Sequence, residues 1–207
     1  ASDVYKRQQQ PQAMPPKATS LLYFLSNEPF TKISAMTNAP GFKSPAEVGK
    51  ALEWLEKSGF VRREQHRVSR RGRKSGFAVL TPRAYEYLGK KGIPGKGEFE
   101  HKLYQFLICR KLEKDGLQAK IEGRISKFGK SIDVLARSKD GQFVAYEVTL
   151  HFENIISNIH SDLVSGASKV FIVARDRAGM QQAQKIVNAS PEFSENVGFM
   201  TIDEFFD

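Results

Sequence analysis

Cysteine is almost absent: Cys109 is the only one in 207 residues. A single cysteine excludes an intrachain disulfide framework and a zinc site built on thiolates. It fits a reducing cytoplasm, which is the location expected here. No apolar run approaches the roughly 18 residues of a membrane span, so no membrane partner is expected. A secretory signal pattern is also missing. No internal repeat is visible, nor any basic amphipathic helix of the kind that lies on anionic lipid.

What is present is a moderate apolar content and an uneven charge. Hydrophobic residues make up 40% of the chain, enough for a core in each of two domains. The net charge of +9 is concentrated in the first half: residues 1–97 carry +11, whereas residues 98–207 carry −2. Such asymmetry predicts two modules, the first facing a polyanion. Nucleic acid fits better than a membrane surface. Residues 1–16 are rich in Gln and Pro and read as a disordered linker. Ala1–Gln8 looks like translated sequencing-adapter read-through and lacks an initiator Met, so the natural protein is expected to differ or extend upstream.

The first module is expected over residues 17–91. Leu21, Leu22, Phe24 and Leu25 predict an apolar helix over 18–27. Ser44-Pro45-Ala46-Glu47 predicts a helix start. Ser44 caps the Glu47 N–H, Glu47 reaches back to the Ser44 N–H, and Pro45 takes the first turn. Val48, Ala51, Leu52 and Leu55 share one face, and Gly59 ends the helix. Strands at Phe60-Val61 and Phe77–Leu80 follow, then a helix over 83–88 capped by Thr81-Pro82. This order, with Leu52-Glu53-Trp54-Leu55-Glu56-Lys57-Ser58-Gly59-Phe60-Val61 and Leu80-Thr81-Pro82-Arg83-Ala84-Tyr85-Glu86-Tyr87-Leu88, closely resembles the winged helix-turn-helix family. The resemblance covers residues 18–90.

Between the two strands stand Arg62, Arg63, Arg67, Arg70, Arg71, Arg73 and Lys74, opposed only by Glu64. That is a net of +6 in thirteen residues. At the tip of a wing such a cluster would follow a phosphate backbone or enter a minor groove. A solvated basic loop is the plain alternative. The helix in the recognition position offers Lys50 but also Glu47 and Glu53, which argues for backbone binding over base readout. Some winged helices bind protein instead.

Residues 92–97, with Gly92, Pro94, Gly95 and Gly97, read as a linker. The second module is expected over 98–207. Its pattern is helix 98–114, strands 117–125, 131–137 and 143–150, helix 154–165, strand 169–174, helix 177–188 and a short strand 197–202. Three strands in meander followed by alternating α and β predict an α/β sandwich around a mixed sheet. The runs Ser131–Ala136 and Phe143–Leu150 each hold one interior carboxylate, Asp133 and Glu147. A charged group inside an apolar strand needs a cation, a metal or hydrogen bonds. Two on paired strands can converge on one divalent ion. A salt bridge to Arg124 or another core cation is the plain alternative.

These positions resemble the restriction-endonuclease-like superfamily with its PD-(D/E)XK motif. The resemblance implies Asp133 and Glu147 as ligands of Mg²⁺ or Mn²⁺. Glu100 is the supporting helical acid expected here, because it shares a face with Leu103 and Leu107. His101 beside it is the kind of residue that relatives place next to the metal. Thr149 stands where the motif has Lys. Lys127, Lys130 and Lys169 are the nearby cations, with His151 and His160 also available. For His101 and His160 a surface role is the simpler reading. Asn154 and Asn158, one turn apart, either contact the site or cap and decorate their helix, the second being the simpler reading.

The whole order looks like the C-terminal tail of some HerA/FtsK-type DNA-translocating ATPases of mobile elements. In these tails the third-strand motif also often lacks Lys. The chain holds no Gly-x-x-x-x-Gly-Lys-Ser/Thr loop, so a motor would lie upstream or in a partner. The expected fold class is therefore α/β (α+β overall): an N-terminal winged helix-turn-helix plus a C-terminal restriction-endonuclease-like α/β sandwich with a mixed central sheet. The expected function is DNA binding with Mg²⁺-dependent phosphodiester hydrolysis. The alternatives are an inactive DNA-targeting module and a winged-helix regulator. DNA is the expected partner. Many nucleases of this class pair as homodimers, but nothing in the sequence specifies an interface.

Overall fold

A computed structural model describes residues 13–70, 73–127 and 129–206. Arg71 and residues 1–12, which hold the expected read-through over 1–8 and most of the linker expected over 1–16, lie outside the described residues. The chain divides into two compact units. One comprises the described residues through Gln65 together with Ser75–Gly92; the other comprises His66–Lys74 together with Ile93 onward.

In the first unit, helix α1 spans Pro16–Asn27. Pro16 starts it, since the missing N–H would be unpaired in the first turn anyway. The helix therefore begins inside the segment expected to be linker, and Met14 already packs against the core. A 3₁₀ turn, Ile33–Asn38, leads to α2, Pro45–Lys57. The Ser44 hydroxyl accepts the Glu47 N–H at 3.3 Å, as the sequence predicts. Glu47 does not reach back to Ser44. It accepts from the Lys43 N–H at 2.9 Å and pairs with Lys17 at 2.6 Å. Val48, Ala51, Leu52 and Leu55 are buried against Leu21, Leu22 and Leu25 of α1. Gly59, at φ +75°, turns the chain out of α2. Strands β1, Val61–Arg67, and β2, Lys74–Leu80, pair with each other. Helix α3, Pro82–Leu88, follows, with the Thr81 hydroxyl accepting from the Ala84 N–H.

The second unit carries the mixed sheet that the sequence predicts. Helix α4 runs Phe99–Lys114. Strands β3 (Gln118–Gly123), β4 (Ile132–Arg137) and β5 (Phe143–Thr149) form an antiparallel meander. Helix α5 (Ile155–Val164) then crosses to β6 (Lys169–Ala174), and α6 (Arg177–Asn188) crosses to β7 (Val197–Thr201). The pairs β5–β6 and β6–β7 are parallel, which gives the order β3-β4-β5-β6-β7. The switch from meander to crossover follows from the connections: a short turn serves an antiparallel neighbour, whereas a parallel one needs a helix between the strands. Helix α4 lies against β3–β5, while α5 and α6 lie against β5–β7. Ile155, Ile159, Ala183 and Val187 bury their helices on Ala145, Val170 and Ile172 of the sheet. A 3₁₀ turn, Ile202–Phe205, closes the unit.

Candidate functional site

Asp133 and Glu147 meet, each held by the other's strand. Asp133 on β4 accepts the Val148 N–H on Oδ2 at 2.9 Å. Glu147 on β5 accepts the Asp133 N–H on Oε1 at 3.2 Å. Glu147 is only 7% exposed. Burial, then the charge of Asp133 and that of Asp162, push its carboxyl well above the usual carboxylate range.

Helix α4 contributes His101 and Gln105, one turn apart. His101 Nε2 lies 3.1 Å from Asp133 Oδ2. Burial disfavours the imidazolium, but the adjacent Asp133 and the charge of Glu122 outweigh it, and the pKa rises. Gln105 is fully buried; its amide donates to Asp133 Oδ1 at 3.0 Å and to Glu122 Oε1 at 3.1 Å. Glu122 on β3 is held at φ +50°, a left-handed conformation that costs a non-glycine residue about 1–2 kcal/mol. Ser131 Oγ donates to it, as does the Lys96 N–H at 3.2 Å. Burial opposes ionisation of Glu122, but these donors outweigh it and hold its pKa below the usual value.

The glycines before α4 permit this close approach. A Cβ on Gly95 would sit 3.2 Å from Gln105 Oε1, and one on Gly97 3.1 Å from the His101 ring. Both adopt positive φ, which strains any other residue.

Helix α5 closes the other side. Asn158 donates to Glu147 Oε2 at 3.2 Å and accepts from Lys130 Nζ at 2.7 Å. Asp162, one turn on, is 2% exposed, and its Oδ2 has no hydrogen-bond partner. Burial raises its pKa to about 6, with Glu147 and Lys130 acting to lower it.

Glu100 is not part of this group. It accepts from Tyr104 Oη at 2.8 Å and Arg175 Nη2 at 2.6 Å, and lies 4.0 Å from His66 Nδ1. Leu103 is buried, as expected, but the helix turns His101 and not Glu100 toward Asp133. Thr149 is buried at the end of β5. Of the nearby lysines, Lys130 reaches the site through Asn158, whereas Lys169 lies over the Phe171 ring at 5.0 Å. Arg124 and His151 are exposed, and His160 sits edge-on to Phe193. Asn154 occupies the N-cap of α5 with no side-chain cap bond. Gln105, Glu122 and Asp162 escaped the sequence reading. Two of them carry a helical signal, four residues after His101 and Asn158.

The basic ribbon residues are distributed among several partners. Arg62 pairs with Glu64 at 2.5 Å and Arg63 with Glu56 at 3.0 Å. Arg67 pairs with Asp203 at 2.7 Å, and Arg70 donates to the Asp203 carbonyl at 3.1 Å. Lys50, Arg73 and Lys74 are exposed.

Among the described residues, no group of three or more His, Cys, Asp or Glu is arranged to hold a metal ion. The protein offers two facing carboxylates. Hard oxygen donors in that number suit Mg²⁺, which commonly takes one or two carboxylates and keeps several waters. Burial first, and then the charges of Asp133 and Asp162, raise the proton affinity of Glu147, and Asp162 Oδ2 is unpartnered; a cation bound there would offset those charges. The chain matches no protein-family model and no curated protein.

Proposed function

We propose that this chain is a DNA-binding protein whose second unit is a PD-(D/E)XK-type phosphodiesterase domain, with Asp133 and Glu147 as the ligands of Mg²⁺ or Mn²⁺. One observation carries the reading: two carboxylates from neighbouring antiparallel strands converge, Glu147 accepting the Asp133 N–H and Asp133 accepting the Val148 N–H from the facing strand. The meander, the crossover helix and the parallel fourth strand support it. Bound there, the cation would polarise the scissile phosphate and acidify an attacking water. His101 and Gln105 orient Asp133; Asn158 orients Glu147. Lys130, linked through Asn158, is the cation closest by connection to the motif and stands in for the absent Lys at Thr149. Lys50 and the ribbon cations, Arg73 and Lys74 above all, would hold the DNA backbone.

A second reading, a non-cutting DNA-targeting module of a DNA-translocating or mobile-element system, is favoured by Thr149. A hydroxyl can bond a water but cannot supply positive charge to a developing phosphate anion. Incubation of supercoiled plasmid with Mg²⁺ or Mn²⁺ separates the two. Cutting that disappears in Asp133→Ala and Glu147→Ala supports the nuclease. Binding without cutting, equal in both variants, supports the targeting module. A rise in melting temperature with the cation alone, absent in Glu147→Gln, tests the ligand assignment without requiring activity.

A further inference from the structure

The first unit holds a cleft of about 590 Å³ that is unrelated to the carboxylates. Its aromatic lining is Trp54 at the end of α2, Phe60 after the α2 turn, and Tyr87 on α3. Trp54 and Phe60 are near parallel, with centroids 6.2 Å apart, and Tyr87 meets Phe60 edge-on at 5.4 Å. Tyr87 is 53% exposed, unusual for a large ring. Arg83 holds its guanidinium 4.8 Å from the Phe60 centroid, and Lys57 stands at the rim. Among the described residues no carboxylate lines the cleft; Glu53, which pairs with Lys57 at 2.6 Å, lies outside it.

Flat rings together with two cations and no lining acid select a ligand that is aromatic and anionic. Rings offer their faces to a planar heterocycle, and a guanidinium recognises a phosphate with directed N–H groups. We propose that this cleft binds an unpaired nucleotide, its base stacked on the aromatic lining and its phosphate on Arg83 and Lys57. The ligand's source is either a free mononucleotide or the end of a single strand. The inference does not rest on the Asp133–Glu147 reading and survives its failure.

Trp54 is the only tryptophan and lines this cleft, so its fluorescence serves as the probe. Variants at Tyr87 and Arg83, which line this cleft and not the neighbouring one beside Lys50, assign the response to it. The full chain is titrated with thymidine 5′-monophosphate, with thymidine, and with a short oligo-dT strand. The expected result is saturable quenching by the nucleotide and about tenfold weaker quenching by the nucleoside, which lacks the phosphate. Tyr87→Ala should weaken binding by about fivefold or more, the usual size of one lost stacking contact. Arg83→Ala should act similarly on the nucleotide but not on the nucleoside. Equal responses to nucleotide and strand identify a free nucleotide as sufficient; a response to the strand alone identifies a strand end. The proposal is overturned if neither ligand alters the emission of folded protein. It is also overturned if Tyr87→Ala and Arg83→Ala respond as the parent does, or if emission depends only on protein concentration, which would assign the cleft to a second copy.

Discussion

The basic ribbon and the carboxylate group around Asp133 both concentrate charge of one sign, but they neutralise it in different ways. The ribbon's arginines take what acids are near: Arg62 has Glu64, Arg63 has Glu56 and Arg67 has Asp203. The exposed Arg62 and Arg63 pairs contribute little, whereas the Arg67–Asp203 pair is half-buried. Around Asp133, the hydrogen bonds come from fixed, mostly buried groups. Gln105 has no solvent access, Glu147 has 7% and Asp162 2%. Water cannot replace a lost donor there, so each substitution should cost far more. A concentration of one sign of charge thus makes an adaptable surface in one place and a rigid constellation in the other.

The sharpest break of that contrast is Gln105→Leu. The side chain is nearly isosteric, but it removes one donor from each of two carboxylates, Asp133 and Glu122. Stability should fall by about 2–4 kcal/mol, read from urea unfolding. A loss below about 0.5 kcal/mol would mean that water enters and that the group is as adaptable as the ribbon.

Next in size is a pH effect. Burial lifts the Asp162 carboxyl from its ordinary 3.8 to about 6 in the folded protein, so the folded state binds the extra proton between those values. Stability should therefore decline as pH rises through that window, the reverse of an ordinary paired carboxylate. Asp162→Asn should remove the share of this decline that Asp162 carries, leaving a shallower unfolding profile from about pH 4 to pH 6 to which Glu147 still contributes. An unchanged profile would place the proton elsewhere in the group. Arg67→Ala should come third, at about 1 kcal/mol, because its partner Asp203 is partly shielded.

The contrast also separates what the sequence discloses from what it hides. Helix starts at Ser44-Pro45 and Thr81-Pro82 are local chemistry, so they are legible. The meander and crossover are legible because apolar runs and their spacing determine them. Asp133 and Glu147 stand out as charges inside such runs. Glu100 against His101 was not decidable, since neighbouring helix positions differ by about 100° and an apolar i, i+3 partner does not fix the rotation. Glu100 is held instead by Tyr104, one turn on, and by Arg175, a residue 75 positions later. Likewise Asp203, which takes Arg67 and Arg70, lies more than 130 positions beyond them. Glu122 is hidden for a different reason: its left-handed backbone is unlike that of a regular strand, and Ser131, Lys96 and Gln105 hold its side chain.

The smallest expected effect on stability is the most informative about the ribbon. Arg73 and Lys74 are exposed, so replacing both with Ala should change folding free energy by less than about 0.5 kcal/mol. If they meet phosphates, the slope of log affinity for duplex DNA against log salt should become shallower by roughly 2, one unit for each lost contact. Lys50→Ala on α2 should subtract about one more if that helix also faces the backbone. Arg62, Arg63 and Arg67 begin from ion pairs, and DNA must displace Glu64, Glu56 and Asp203 to use them. Their substitution should therefore lower affinity less per residue than that of Arg73 or Lys74. The opposite ranking would mean that the pairs open without cost, and that Arg73 and Lys74 are not where the phosphates lie.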